Sequence, residues 1–276
     1  MMQSLGEMVG ICPGFNEENS NEENFNEEIW RAINSMDKRR ICEMKAKMVK
    51  RLICSTIMGA ALLSGAAMAA GELSVTDKTA FIYPGKDSGY FYAKIENTGD
   101  APAGVDSGQM VLFSDTGDIL ETSSYVSTYP NRLILNPGEY TYVSEFMWNS
   151  TLKNQTVGDV KFTVGIADWG NAVRMIPCEV VLEMNGADTF DNYINVTITN
   201  EDSETRYGYY MVVAMMDTAG NLIYVDENSY ERVGLHAGST ATFGMYIDSD
   251  VVEYLEANNI EVGSVDALVY YMDEQG

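Results

Sequence analysis

The chain has 276 residues, with 17 Lys+Arg against 41 Asp+Glu, a single His and four Cys, and 46% of it is hydrophobic. That apolar share excludes disorder for most of the chain, and the length is enough for one large or two small domains, each able to bury a core. A formal charge of -24 excludes nucleic acid and anionic membrane as natural partners, because affinity for both comes from clustered Lys and Arg.

Residues 1–43 carry an acidic, repetitive stretch at 16–24 and have the composition of a disordered segment. They read as a start assigned too early or as a disordered acidic tail. Residues 44–69 read as a secretory signal peptide. Lys45, Lys47, Lys50 and Arg51 make the positive leader, and the uncharged run 52–71 with Ile53, Ile57, Leu62 and Leu63 makes the apolar part. Ala67-Met68-Ala69 then supplies the small-residue pattern, so cleavage is expected between Ala69 and Ala70. The run is long enough to span a bilayer, but its Gly, Ala and Ser content makes a poor anchor. Cys54 stands at the start of the apolar run, not behind it, which does not suit a lipoprotein. A secreted or cell-envelope location is expected.

Cleavage there removes eight basic and nine acidic residues and leaves 9 Lys+Arg against 32 Asp+Glu in residues 70–276. Cys12, Cys42 and Cys54 leave with the leader, so Cys178 has no intrachain partner and stability must come from the core. Cys178 shares its parity with Ile176, Val180 and Leu182. That places it on the apolar face of a strand, buried and inert.

Beyond the leader the chain matches itself. Residues 157–168 match 262–273 at an offset of 105 with five identities, Val157, Gly158, Val160, Val164 and Asp168 recurring as Val262, Gly263, Val265, Val269 and Asp273. Asn97 aligns with Asn200, Gly117 with Gly220, and Leu135 to Gly138 with Leu235 to Gly238. Within each copy the apolar period is two: Phe91, Ala93 and Ile95 alternate with Tyr90, Tyr92 and Lys94, as Ile194, Val196 and Ile198 alternate with Tyr193, Asn195 and Thr197. Val160, Phe162, Val164 and Ile166 continue the pattern in the first copy, and Val265, Ala267, Val269 and Tyr271 in the second. Gly117 and Gly220 suit tight hairpins, and Pro137-Gly138 suits a type II turn. The exception is Asp248-Ser249-Asp250 followed by Val251, Val252, Tyr254 and Leu255, which predicts an N-cap and two helical turns ending near Asn258. The expected fold is all-β: two tandem immunoglobulin-like antiparallel β-sandwich domains, residues 70–171 and 172–276, meeting near Gly170 to Arg174, with a single larger sandwich as the alternative.

The paired pattern of a strand ending in Asn, an apolar strand ending in Asp, a glycine hairpin and Leu-x-Pro-Gly-Glu before another strand resembles the FxLYD domain. That family consists of small extracellular β-sandwiches of bacterial secreted and envelope proteins. The signature strand reads Val111-Leu112-Phe113-Ser114-Asp115 and Val213-Ala214-Met215-Met216-Asp217, so the aspartate and the apolar character agree. Leu135-Asn136-Pro137-Gly138-Glu139 fits, whereas His236-Ala237-Gly238-Ser239 has lost both Pro and Glu. The resemblance implies a fold and a compartment and carries over no catalytic residue.

Nothing in the chain spells a reaction. His236 is the only histidine and falls in a turn, so no Ser-His-Asp or Cys-His set can be built without it, and zinc lacks ligands. There is no glycine-rich phosphate loop. No catalytic residue, cofactor or metal is expected. Asp248, Asp250 and Glu253, or Asp115 and Asp118, offer oxygens for a weak calcium site but match no EF-hand loop. The tyrosines, among them Tyr90, Tyr92, Tyr209, Tyr210, Tyr270 and Tyr271, suit cross-strand packing or, if exposed, stacking on sugar rings. Trp148 and Trp169 lie at strand ends. The expectation is therefore a non-enzymatic extracellular or cell-envelope module for binding, adhesion or spacing, whose partner is an extracellular protein or glycan. The alternatives are a carbohydrate-binding module and a carboxylate-dependent glycosidase.

Overall fold

In the computed structural model, residues 71–167, 169–171 and 173–272 are described. The expected signal peptide with its cleavage at Ala69 and Ala70, the stretch 1–43, and Cys12, Cys42 and Cys54 lie outside the described residues. Among the described residues no helix is long and apolar enough to cross a membrane.

Alternation of apolar and polar residues yields strands paired antiparallel throughout, so the all-β sandwich expectation holds. The first half runs β1 (Leu73–Ile82), β2 (Ser88–Asn97), β3 (Ala103–Ser114), β4 (Ile119–Val126), β5 (Ile134–Leu135), β6 (Tyr140–Trp148), a 3₁₀ turn at Ser150–Leu152, and β7 (Val157–Ala167). One sheet has the order β1-β2-β6. In the other, β3 takes β7 along one edge and β4 and then β5 along the opposite edge. The second half runs β8 (Val173–Ile176), β9 (Cys178–Glu183), β10 (Tyr193–Thr199), β11 (Arg206–Asp217), β12 (Leu222–Leu235), β13 (Thr240–Tyr246), α1 (Ser249–Ala257) and β14 (Val262–Met272). Its sheets have the orders β9-β10-β13 and β12-β11-β14-β8.

Turn chemistry fixes matching corners in the two halves. Asn97 ends β2, and its side-chain amide donates to the carbonyls of Ala101 and Leu135, both at 2.8 Å. Asn200 does the same after β10, donating to Glu204 and Leu235 at 2.8 Å. Gly138 and Gly238, with φ of 79° and 70°, take the left-handed position of their turns, and each N–H donates to the carbonyl of that asparagine at 2.8 Å. Glycine serves a second purpose at the Val-Gly positions of β7 and β14. A Cβ on Gly158 would strike the backbone of Ser114 and Asp115, and one on Gly263 the backbone of Asp217 and Thr218.

The helix forms where capping chemistry predicts it. The Asp248 carboxylate accepts from the Asp250 N–H at 2.9 Å, and Val251, Val252 and Leu255 bury one face. The strand expected over residues 176–182 is in fact two. Pro177 cannot donate to a ladder, and there the chain leaves β14, the partner of β8, and joins β10 as β9. Cys178 is consequently half-buried, its thiol donating to the Ala267 carbonyl at 3.4 Å, and burial pushes the thiol pKa up.

The described strands belong to one compact unit, and the core is continuous through both halves. Parity explains how. Phe91, Ala93 and Ile95 of β2 point into the first sandwich and are buried, yet Tyr92 on the opposite face is 0% exposed. That face is covered by the second half. Tyr92 meets Tyr224 edge-on at 5.9 Å, and Phe81 stacks on Tyr254 of α1 at 4.3 Å and 16°. The Tyr140 and Tyr142 hydroxyls both donate to one Asp266 oxygen at 2.8 Å. A bulge after Val75 presents Asp77, which accepts from the Leu222 N–H at 2.7 Å. Each fully buried aromatic ring of this kind stabilises by about 1.5–3 kcal/mol relative to exposure.

Candidate binding cleft

The seam between the halves opens at one end into a cleft of about 150 Å³ lined by Tyr83, Pro84, Lys86, Asp250, Glu253, Tyr254 and Ala257. The first half contributes the β1–β2 corner. Tyr83 N–H donates to Ser88 at 3.0 Å and Lys86 N–H to Tyr83 at 3.1 Å, with Gly85 at φ 74° allowing the reversal. The second half contributes the exposed side of α1, whose other side is held in the core by Val251, Val252 and Leu255. Phe81 under Tyr254 ties the two walls together.

Within the cleft, Lys86 pairs with Asp250 and lies 5.6 Å from the Tyr83 ring centre. Glu253 is exposed. Tyr83 is 5% exposed, and its hydroxyl has no hydrogen-bond partner. Burial, followed by the charges of Tyr90, Asp248 and Asp250, holds that phenol well above its usual range, so it stays a neutral donor at any physiological pH. Tyr254 is also pushed up by burial.

An aromatic strip continues from this corner over the first sheet. Tyr83 meets Tyr90 edge-on at 6.0 Å, and Tyr90 meets Phe146 at 5.1 Å and 54°. Phe146 is 54% and Trp148 75% exposed, and the two share a face of the edge strand β6. Elsewhere Trp169 is exposed with the Arg132 guanidinium 4.1 Å from its ring centre.

The remaining candidates are dispersed. Tyr92, Tyr209, Tyr270 and Tyr271 are buried and Tyr90 and Tyr210 half-buried, so packing accounts for most of the tyrosines expected to choose between packing and sugar stacking. His236 lies exposed in its turn, its Nδ1 2.9 Å from the Thr205 hydroxyl. Asp248 is occupied as a helix cap and Asp250 by Lys86. Asp118 accepts from Thr116 at 3.0 Å, and Asp115 is exposed. Among the described residues no three His, Cys, Asp or Glu side chains are grouped to hold a metal ion.

Sequence reasoning missed the half-buried acids of the seam, since nothing distinguished them among so many carboxylates. Burial pushes Glu227 up to about 7, aided by repulsion from Asp226 and Glu145, and its Oε2 has no partner. Asp226 is raised by burial. Glu145 is raised by burial against the opposing hydrogen bond from Ser123, which donates at 2.8 Å. None of the three lines the cleft.

No family model matches the chain, and no curated protein matches it. Among solved structures it is similar to a calcium-binding mutant of Bacteroides uniformis beta-glucuronidase 2, at 11% identity and a TM-score of 0.19 over 59% of this chain. The match spans 22% of that protein's length, and likeness at this level carries neither fold nor activity.

Proposed function

We propose that the protein is an exported, non-enzymatic β-sandwich module that binds an extracellular protein or glycan at the secreted or cell-envelope face, with the two halves arising by duplication of an FxLYD-like unit. The observation that carries the reading is the pair of exposed rings Phe146 and Trp148, with half-buried Tyr90 packed beside Phe146, since large exposed rings on a strand that lies at the edge of its sheet among the described residues offer an interaction surface. The matching corner hydrogen bonds of Asn97 and Asn200 support duplication. The carboxyls with raised pKa lie in the seam between packed strands and not in the cleft, which favours binding over glycoside hydrolysis.

The test is the N-terminal sequence and intact mass of the native protein in culture fluid, membrane and cytosolic fractions. A chain that begins at Ala70 outside the cytosol is the expected result. An unprocessed chain confined to the cytosol would refute export, and retention on whole cells unchanged by the double variant Phe146→Ala and Trp148→Ala would refute the aromatic surface.

A further inference from the structure

We infer that the protein pairs with a second copy of itself along β13, the two strands running antiparallel about a two-fold axis, so that the β9-β10-β13 sheets of both copies join into one sheet of six strands. This goes beyond the binding reading above and does not depend on what the protein binds.

A sheet edge presents unpaired N–H and C=O groups, and proteins blunt such edges with charged side chains, prolines or bulges. At β13 that protection is missing. Among the described residues it is the only edge strand longer than two residues that has no charged side chain. Asp77 on β1, Glu121 on β4, Glu145 on β6 and Glu179 on β9 are among the charges on the others. β13 also has no proline, and its register with β10 is unbroken from Thr240 to Tyr246, whereas β1, β4, β7 and β12 join their partners through register shifts.

The ladder shows which backbone groups are free. Ile247 N–H donates to the Asn192 carbonyl and Asn200 N–H to the Ser239 carbonyl, both at 2.9 Å. Peptide groups alternate sides along a strand, so the odd-numbered residues of β13 turn theirs to β10, and Thr240, Thr242, Gly244 and Tyr246 turn theirs to the open edge. These four residues are exposed. The two threonines are tied back toward β10, the Thr240 hydroxyl 2.8 Å from that of Thr199 and the Thr242 hydroxyl 2.8 Å from that of Thr197. The edge is therefore clear and already ordered, which lowers the cost of pairing.

Register and charge make the strand its own complement. With the axis at Phe243, Thr240 faces Tyr246 of the second copy and Thr242 faces its Gly244, so the two strands exchange about eight backbone hydrogen bonds and leave no edge group unpaired. An axis one residue either way leaves Tyr246 or Thr240 without a strand partner. No Asp or Glu occurs from Leu235 to Ile247, and the next acid, Asp248, falls opposite Gly238 of the second copy. The glutamates of β9 in the two copies then stand about five strand spacings or 24 Å apart, roughly three Debye lengths at physiological ionic strength. Pairing through β9 itself would set those glutamates against their copies.

Sedimentation velocity of the full chain is expected to show a monomer–dimer equilibrium with a Kd of about 10–100 µM, since one strand per copy makes a small interface. Amide exchange followed by NMR gives the sharper signature. From dilute to concentrated protein, the N–H groups of Thr240, Thr242, Gly244 and Tyr246 should become protected, while those of Ala241, Phe243 and Met245 are protected throughout. Thr242→Glu sets like charges beside the axis, and Thr242→Pro removes an edge-facing N–H without a ladder bond to β10; each should weaken dimerisation by roughly tenfold or more. Continued protection of Ala241, Phe243 and Met245 in either variant shows that it does not act by unfolding. A monomer at every concentration, oligomers beyond the dimer, or association indifferent to both variants would overturn the assignment. Protection of the four amides only after culture fluid is added would give the edge to another protein and overturn self-pairing.

Discussion

Asp266 on β14 is where the two halves are most open to measurement. One carboxylate oxygen accepts from both the Tyr140 and Tyr142 hydroxyls at 2.8 Å. Hydrogen bonds to a charged acceptor contribute about 1.5–3 kcal/mol each, but the two donors differ in what replaces the bond. Tyr142 is 2% exposed, so without Asp266 its hydroxyl is stranded away from water. Tyr140 is only half-buried and recovers much of its loss from solvent. Asp266→Ala should therefore destabilise by about 3 kcal/mol, most of it through Tyr142, and Asp266→Asn, which keeps one neutral acceptor, by about half that. Tyr142→Phe should cost about 2 kcal/mol and Tyr140→Phe about 1 kcal/mol or less. In urea unfolding, the double variant Asp266→Ala with Tyr142→Phe should be less destabilised than the sum of its parts by about 1.5 kcal/mol, because the same bond is deleted twice. Strict additivity, or a larger coupling with Tyr140 than with Tyr142, would refute this account of the seam.

Two further predictions concern stability. Glu227 has its folded carboxyl raised to about 7 from an ordinary value near 4.5, so its contribution is fully present below about pH 4.5 and is lost as pH rises through 7. The loss approaches about 3 kcal/mol by pH 8. Glu227→Gln should flatten the melting temperature between pH 5 and pH 8, and a wild type whose melting temperature rises over that range no less than the variant's would count against the assignment. Gly158→Ala and Gly263→Ala should each cost about 1–3 kcal/mol, because the backbone of the facing hairpin cannot move aside for a Cβ. Chemical denaturation reads this directly, and a neutral substitution at either position would mean that the two corners are looser than their geometry.

The period of two along β2 and β10 was readable because burial on one face leaves a mark on every second residue, and the Asp248 cap was readable because its bond to the Asp250 N–H is local. What covers a strand's other face leaves no such mark. Tyr90 and Tyr92 have outward parity, and sequence could describe both only as facing away from their own sandwich. That Tyr92 is sealed by Tyr224, more than a hundred residues later, follows from packing between the halves. Pro177 carried a local signal for the break between β8 and β9, but the shared parity of Ile176 and Cys178 masked it. Glu227 carried none, since a carboxylate on a strand looks the same whether its neighbour is water or Glu145.

The seam explains why the cleft lies where it does. Across most of their contact the halves meet ring to ring, as Tyr92 does with Tyr224 and Phe81 with Tyr254, and such packing leaves no room for a ligand. At the β1–β2 corner the chain turns away through Gly85, while α1 occupies the long connection between β13 and β14. Two walls therefore diverge from the contact of Phe81 with Tyr254, and of the polar groups they carry Lys86 finds Asp250, Glu253 faces solvent, and the Tyr83 hydroxyl is buried without a partner. Tyr92 and Tyr209 bury hydroxyls without a partner away from this cleft, so the unpaired Tyr83 phenol follows from the same packing of aromatic rings and is not a mark of the cleft.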